Sequence, residues 1–139
     1  MLSIYPACFF RDETGYSVVF PDLNWLATNG STETEAMKMA IDCLAGYLYC
    51  LKKDGNQVPD ASAMSDISLA DIANELDADT NGAFVNMVSV DVAEYAKEHF
   101  EKSVRKTLTI PAWLNVAAKE KKINFSQTLQ EALLAKIRA

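Results

Sequence analysis

Val104-Arg105-Lys106-Thr107-Leu108-Thr109-Ile110-Pro111-Ala112-Trp113-Leu114 opens the segment that decides the architecture of this chain. From Val104 to Ile110 the side chains alternate, with Leu108 and Ile110 on one face and Arg105, Thr107 and Thr109 on the other, the pattern of one short strand. Pro111 then suits the first turn of a helix, where its missing N–H would have no partner anyway. Trp113, Leu114, Ala117 and Ala118 fall on the inner face of that helix, and Lys119 to Lys122 close it with positive charge against its C-terminal dipole. Asn124, with Gln127 three residues on, predicts the cap of a last helix whose stripe is Leu129, Ala132, Leu133 and Ile137. Strand, helix and helix are packed into residues 104–139. Chains below about 40 residues usually need a metal, disulfides or a partner to fold. The segment has no CxxC or His cluster, so the remedy is a second copy, whose strand would pair with this one as an antiparallel ribbon. Leu108, Ile110, Trp113, Leu114, Leu129 and Leu133 are thereby assigned to dimerisation.

Charge separates this segment from the rest. Residues 104–139 carry seven Lys and Arg against two Glu, a net +5, while the preceding residues carry six against seventeen, a net −11. Two contiguous blocks of opposite sign suit two partners, a polyanion for the tail and a basic molecule for the body, although uneven solvated charge would give the same sums. With 50% apolar and 23% charged residues the chain is of globular composition. Its longest nearly uncharged apolar stretch in the N-terminal half, Val18 to Leu26, is interrupted by Pro21 and Asp22 and falls far short of the roughly 20 residues that span a bilayer. Met1 to Arg11 lacks the basic region and apolar core of a signal peptide, so a cytoplasmic protein without a membrane segment is expected. Cys8, Cys43 and Cys50 form no CxxC pair and are read as reduced core thiols.

The body opens as a β-meander. Met1 to Phe10 and Tyr16 to Phe20 are rich in aromatic and β-branched residues and flank an Arg11-to-Gly15 turn. Pro6 cannot donate to a ladder, so an edge position or the first paired residue is expected for it. After Pro21-Asp22 a third strand runs from Trp25 to Thr28. Thr32 and Glu35 fit a capping box ahead of Met37, Ala40, Ile41, Leu44, Leu48 and Leu51, predicting a helix to about Asp54-Gly55. A second such signature, Ser68 and Asp71, predicts a short helix, and Phe84 to Val90 a fourth strand. Residues 93–103 suit either a tether or a short helix between modules, giving domains at 1–92 and 104–139 with a linker at 93–103.

Arg105 to Pro111, Trp113-Leu114 and Ile123-Asn124-Phe125-Ser126 together resemble the ribbon-helix-helix repressor domains at the C-termini of HicB antitoxins. Independently, Tyr5-Pro6-Ala7, Gly15-Tyr16, Phe20-Pro21-Asp22-Leu23 and Glu35-Ala36 look like the N-terminal HicB domain, a degenerate RNase H-like fold. The resemblance implies an α+β chain: a β-β-β-α-β partial RNase H-like domain, then a β-α-α ribbon-helix-helix module that dimerises and binds operator DNA. It also implies that the first domain inhibits a HicA-type toxin, a small basic mRNA-cleaving RNase. In such modules the paired ribbon enters the major groove, where Arg105, Thr107 and Thr109 would read base edges. Lys106, on the opposite, core-facing register, would snorkel to a phosphate. The amides at Phe125 to Gln127, capped by Asn124 and helped by the Ser126 hydroxyl, suit a second phosphate.

An RNase H-like ancestry raises metal-dependent catalysis, for which Asp12, Glu13 and Asp22 are the candidates. All three fall in turns, where acids serve backbone needs, so neither a catalytic residue nor a metal or other cofactor is assigned. His99 stands among Lys97, Glu98 and Glu101 as a surface residue, and no nucleophile has a histidine in view. Binding is what remains, with Asp12, Glu13, Asp22 and Trp25 as candidate toxin contacts. Trp25 could equally belong to the core. The competing reading is a ribbon-helix-helix repressor whose first domain senses a ligand or docks another protein, with no toxin.

Overall fold

In the computed structural model, which describes residues 1–138, Ser3–Asp12 (β1) and Gly15–Phe20 (β2) form the predicted hairpin. The third strand is Leu26–Gly30 (β3), one residue past Trp25, and Phe84–Val90 (β4) returns antiparallel to β1. The sheet order is β3-β2-β1-β4, so β1 is central. Pro6 therefore sits within a central strand, fully buried opposite Met87, rather than at an edge. It is tolerated because pairing with β2 begins only at Cys8, so on that side no strand opposes Pro6. The chain reaches β3 through a 3-10 turn at Pro21–Leu23 and two successive left-handed residues, Asn24 (φ 57°) and Trp25 (φ 62°).

Glu33–Lys53 (α1) lies over one face of the sheet. Its cap is the predicted one: the Thr32 hydroxyl accepts from the Glu35 amide at 3.1 Å, worth about 1 kcal/mol. The Glu35 carboxylate reaches back one residue further than a capping box would, accepting from the Ser31 hydroxyl at 2.7 Å. Ala36, Ala40, Leu44 and Leu48, spaced by four, are fully buried against Tyr5, Ala7, Phe9, Val18, Phe20 and Val88. At roughly 1.5–3 kcal/mol for each large apolar side chain, this interface is the main source of stability. Gly30 delivers β3 into α1 so closely that a Cβ there would lie 2.3 Å from the Ala36 nitrogen. Gly15 (φ +140°) in turn packs on Gly30, where a Cβ would lie 2.3 Å from the Gly30 carbonyl oxygen.

Leu69–Leu76 (α2), capped by Ser68 through the Asp71 amide at 3.3 Å, covers part of the opposite face. There Ile72 and Ala73 pack on Cys8 and Phe10. Val92–His99 (α3) occupies residues given to a linker. It buries Val92 and Ala96 and packs on α1, with the Tyr95 hydroxyl donating to Asp42 at 2.8 Å and Phe100 against Tyr49 and Tyr95. Periodicity alone could not reveal this, because eight residues with two buried positions make a weak stripe. The compact unit accordingly runs from Met1 to Ser103, and a second one begins at Val104.

The second unit contains Ala112–Glu120 (α4) and Phe125–Arg138 (α5), neither with a buried residue. Pro111 stands at the cap of α4. Residues 104–110, expected as a strand, have no strand assignment. A strand is defined by its ladder, and among the described residues this unit supplies no second strand for it.

Candidate functional site

The C-terminal unit is organised around a groove of about 620 Å³. Lys106, Leu108 and Ile110 of the extended segment line it together with Leu114, Asn115 and Ala118 of α4, Ile123, and Phe125, Ser126, Thr128, Leu129 and Ala132 of α5. Arg105, Thr107 and Thr109 do not line it, which is the alternation expected of an extended segment. All the residues from Val104 to Ile110 are exposed, Leu108 by 63%. Trp113 and Leu133 are exposed and outside the groove. At the start of α5 the Asn124 side chain accepts from the Gln127 amide at 3.0 Å, and the Thr128 amide bonds the Asn124 carbonyl. The amides that remain for an anion there are those of Phe125 and Ser126. Lys106 faces the groove rather than the Arg105 side, so a phosphate contact from it requires the side chain to curl around the strand.

The four acidic and aromatic candidates of the N-terminal unit fall into two separate places. Asp12 ends β1 and Glu13 forms the hairpin tip, whereas Asp22 and Trp25 follow β2 at its far end, roughly 15–20 Å away at strand spacing. The Asp12 carboxylate accepts from both the Thr14 hydroxyl (2.7 Å) and the Thr14 amide (2.8 Å), and these bonds hold its pKa below the ordinary carboxylate value. Glu13 is exposed and free of such ties among the described residues. Asp22 is half-buried, and both its oxygens are occupied at 2.7 Å, one by the Ser62 amide and the other by the Ser62 hydroxyl. It pins the loop after α1, which the Tyr5 hydroxyl also holds by donating to the Pro59 carbonyl. Asp22 is thus a structural latch, and nothing in its sequence context distinguishes it from a free turn carboxylate. Trp25 is 45% exposed, which removes the core alternative. It stands in the left-handed turn just before β3, and the strand's alternation puts its parity with the exposed Ala27 and Asn29 rather than with Leu26, which packs on the core.

The structure adds residues that sequence reasoning missed. Asp77, in the left-handed cap of α2, and Asp79 join Asp12 and Glu13 around a cleft of about 540 Å³ floored by Phe10 and Val19. The net charge of the segment was the only available signal. His99 is less isolated than expected: it stacks on Tyr95 at 3.9 Å, with Nδ1 3.0 Å from the Tyr95 carbonyl. Of the three thiols only Cys8 is a core group, and burial pushes its pKa up to about 11. Cys43 is half-buried and Cys50 exposed, so the expected common burial fails. Among the described residues, no three His, Cys, Asp or Glu side chains converge as a metal site would require, and no helix is long and apolar enough to cross a membrane.

A family model described as HicB_like antitoxin of bacterial toxin-antitoxin system matches residues 5–137. Antitoxin HicB 2 of Photorhabdus laumondii is 40% identical over 58 residues, so the match spans 42% of this chain and only 42% of that relative. A toxin-antitoxin complex from Streptococcus pneumoniae contains a chain with TM-score 0.71 and 36% identity, covering 98% of this chain and 99% of that one. The antitoxin HicB of Burkholderia pseudomallei shares the fold at TM-score 0.53 and 20% identity, over 97% and 96% of the two chains.

Proposed function

The chain belongs to the HicB-like antitoxin family, and on that premise we propose that it is a dual-function antitoxin of a type II toxin-antitoxin system. Its N-terminal unit binds and inhibits a HicA-type mRNA-cleaving toxin in the cytoplasm. Its C-terminal unit dimerises and represses the shared operon by binding operator DNA. It acts by binding and carries out no catalysis of its own.

One observation carries this reading: the boundary between Ser103 and Val104 separates an acidic unit with a complete core from a basic one with none. The acidic unit is complementary to a basic RNase, and the basic unit to a nucleic acid. In the dimer, apolar residues around the groove would close on their copies while Arg105, Thr107 and Thr109 stay on the DNA side of the ribbon. The Phe125 and Ser126 amides support a phosphate contact that fixes register.

Co-purification with the product of the adjacent gene tests the toxin half, and a stable complex that leaves the toxin unable to cleave mRNA is the expected result. A chain that forms no such complex belongs to the repressor-only reading. For the DNA half, affinity for operator falls steeply with salt, and Arg105→Ala removes about 1–3 kcal/mol at one preferred sequence. Binding indifferent to both changes would sink the operator assignment.

A further inference from the structure

One ladder edge of the N-terminal sheet lies open among the described residues of that unit. β3 runs beside α1, whose Cys43 thiol meets the Ala27 carbonyl at 3.8 Å. β4 has β1 on one side and no strand on the other. Pro6, opposite Met87, has no N–H to exchange, and the Met87 N–H donates instead to the Asn86 side-chain oxygen at 2.9 Å. Pro6 and Met87 are therefore a non-hydrogen-bonded pair. It follows that the N–H and C=O groups of Val85, Met87 and Ser89 point outward, while those of Phe84, Asn86, Val88 and Val90 face β1.

The strand Phe84-Val85-Asn86-Met87-Val88-Ser89-Val90 contains no charge and no proline. Edge strands of soluble domains ordinarily carry Lys, Pro or a bulge that blocks pairing with another chain. Here the one guard is Asn86, which covers a single outward amide. Beside the strand, on the helix face, a groove of about 410 Å³ is lined by Phe84, Met37 and Asn86, with Phe84 stacked on Phe9 at 4.8 Å. An extended peptide laid along β4 would gain main-chain bonds from the edge and a seat for an alternate side chain in the groove.

We infer that the β4 edge is where an extended strand of the toxin adds to the antitoxin sheet, an inference that rests on the toxin-binding role proposed above. Charge selects this occupant over a second copy of the chain. Between Gly55 and Ala96 there are eight carboxylates and no Lys or Arg, and the whole unit carries −11. A second unit of the same charge is repelled, whereas a basic protein is drawn in and held. Lys38 on the groove rim is an exception, and Glu33 on the same rim offsets it.

Hydrogen exchange on the full chain, alone and with the purified toxin, tests the assignment. The amides of Val85, Met87 and Ser89 become protected in the complex, while those of Phe84, Asn86, Val88 and Val90 are already slow without it. Ser89 is exposed, and its side chain stands on the face away from α1, so substitution there changes charge without filling the groove. Ser89→Lys weakens toxin binding about tenfold and Ser89→Glu changes it less than about twofold, because the incoming strand is basic. Unchanged exchange at the three outward amides in a formed complex overturns the edge assignment while leaving the antitoxin role standing. Protection that appears without toxin and grows with antitoxin concentration identifies a second copy as the occupant and overturns it equally. A wild-type chain that binds no toxin at all removes the functional reading itself.

Discussion

The two units solve the burial problem in opposite ways. In the N-terminal unit α1 and the sheet cover each other: Leu44 and Leu48 of the helix and Phe9, Val18 and Phe20 of the strands are fully buried. In the C-terminal unit α4 and α5 bury nothing, and Leu108, Trp113, Leu114 and Leu133 stand 41–71% exposed. Both segments carry side-chain helix caps, Thr32 and Ser68 in the first and Asn124 in the second, and apolar periodicity, so local signals do not separate them. What differs is the amount of chain available to close around the stripe. A hundred residues can wrap a helix with a sheet, whereas on the proposed reading residues 104–138 would take a second copy to do the same. On that reading, stability in the first unit is a property of the chain, and in the second it would be a property of its concentration.

The sharpest way to break this contrast is to separate the units. Residues 104–139 alone should lose their helical circular dichroism on dilution, while residues 1–103 keep theirs at every concentration. A C-terminal fragment that stayed helical when diluted would remove the need for a partner. A smaller effect distinguishes the units within the intact chain. Leu44→Ala empties a fully buried site and costs about 2–5 kcal/mol regardless of protein concentration. Leu114→Ala, on the groove wall, should produce a loss that shrinks as concentration rises, since mass action restores the dimer; thermal melts over a concentration series separate the two behaviours.

The smallest expected effect concerns the thiols. Cys8 has its pKa raised by burial to about 11, whereas Cys50 is exposed. At pH 8 an alkylating reagent should label Cys50 rapidly and leave Cys8 untouched until the unit unfolds. Because the folded pKa is raised, the stability linked to Cys8 is fully present below the unfolded value near 9 and is lost as pH climbs through about 11. A Cys8 that reacts as fast as Cys50 in the folded chain would show that the α2 face opens readily.

Most of the architecture was legible in the sequence because its signals are local. The caps at Thr32, Ser68 and Asn124, the hairpin around Gly15 and the alternation from Arg105 to Ile110 each lie within a few residues. What was not legible depends on distant partners. Pro6 is acceptable in a central strand only because β2 starts pairing two residues later. Asp22 is consumed by Ser62, forty positions away, and α3 belongs to the first unit because Tyr95 finds Asp42 and Phe100 finds Tyr49. Trp25 stands exposed in a turn made by two left-handed residues that no propensity rule requires of an Asn-Trp pair. For the same reason the acidic candidates were recognised as a charge but not as a surface: Asp12 and Glu13 meet Asp77 and Asp79 through α2.

The corner where Gly15, Gly30 and Ala36 meet has a consequence for how this chain can drift. At both glycines the atom that a methyl group would strike is backbone, the Gly30 oxygen for one and the Ala36 nitrogen for the other. A crowded side chain can be relieved by a smaller neighbour, so ordinary core positions exchange in compensating pairs. Here neither obstacle has a side chain to shrink, and no second substitution can rescue the first. The hairpin, the third strand and the main helix are joined at a point that mutation can break but not renegotiate, while the helices and loops around it remain free to vary.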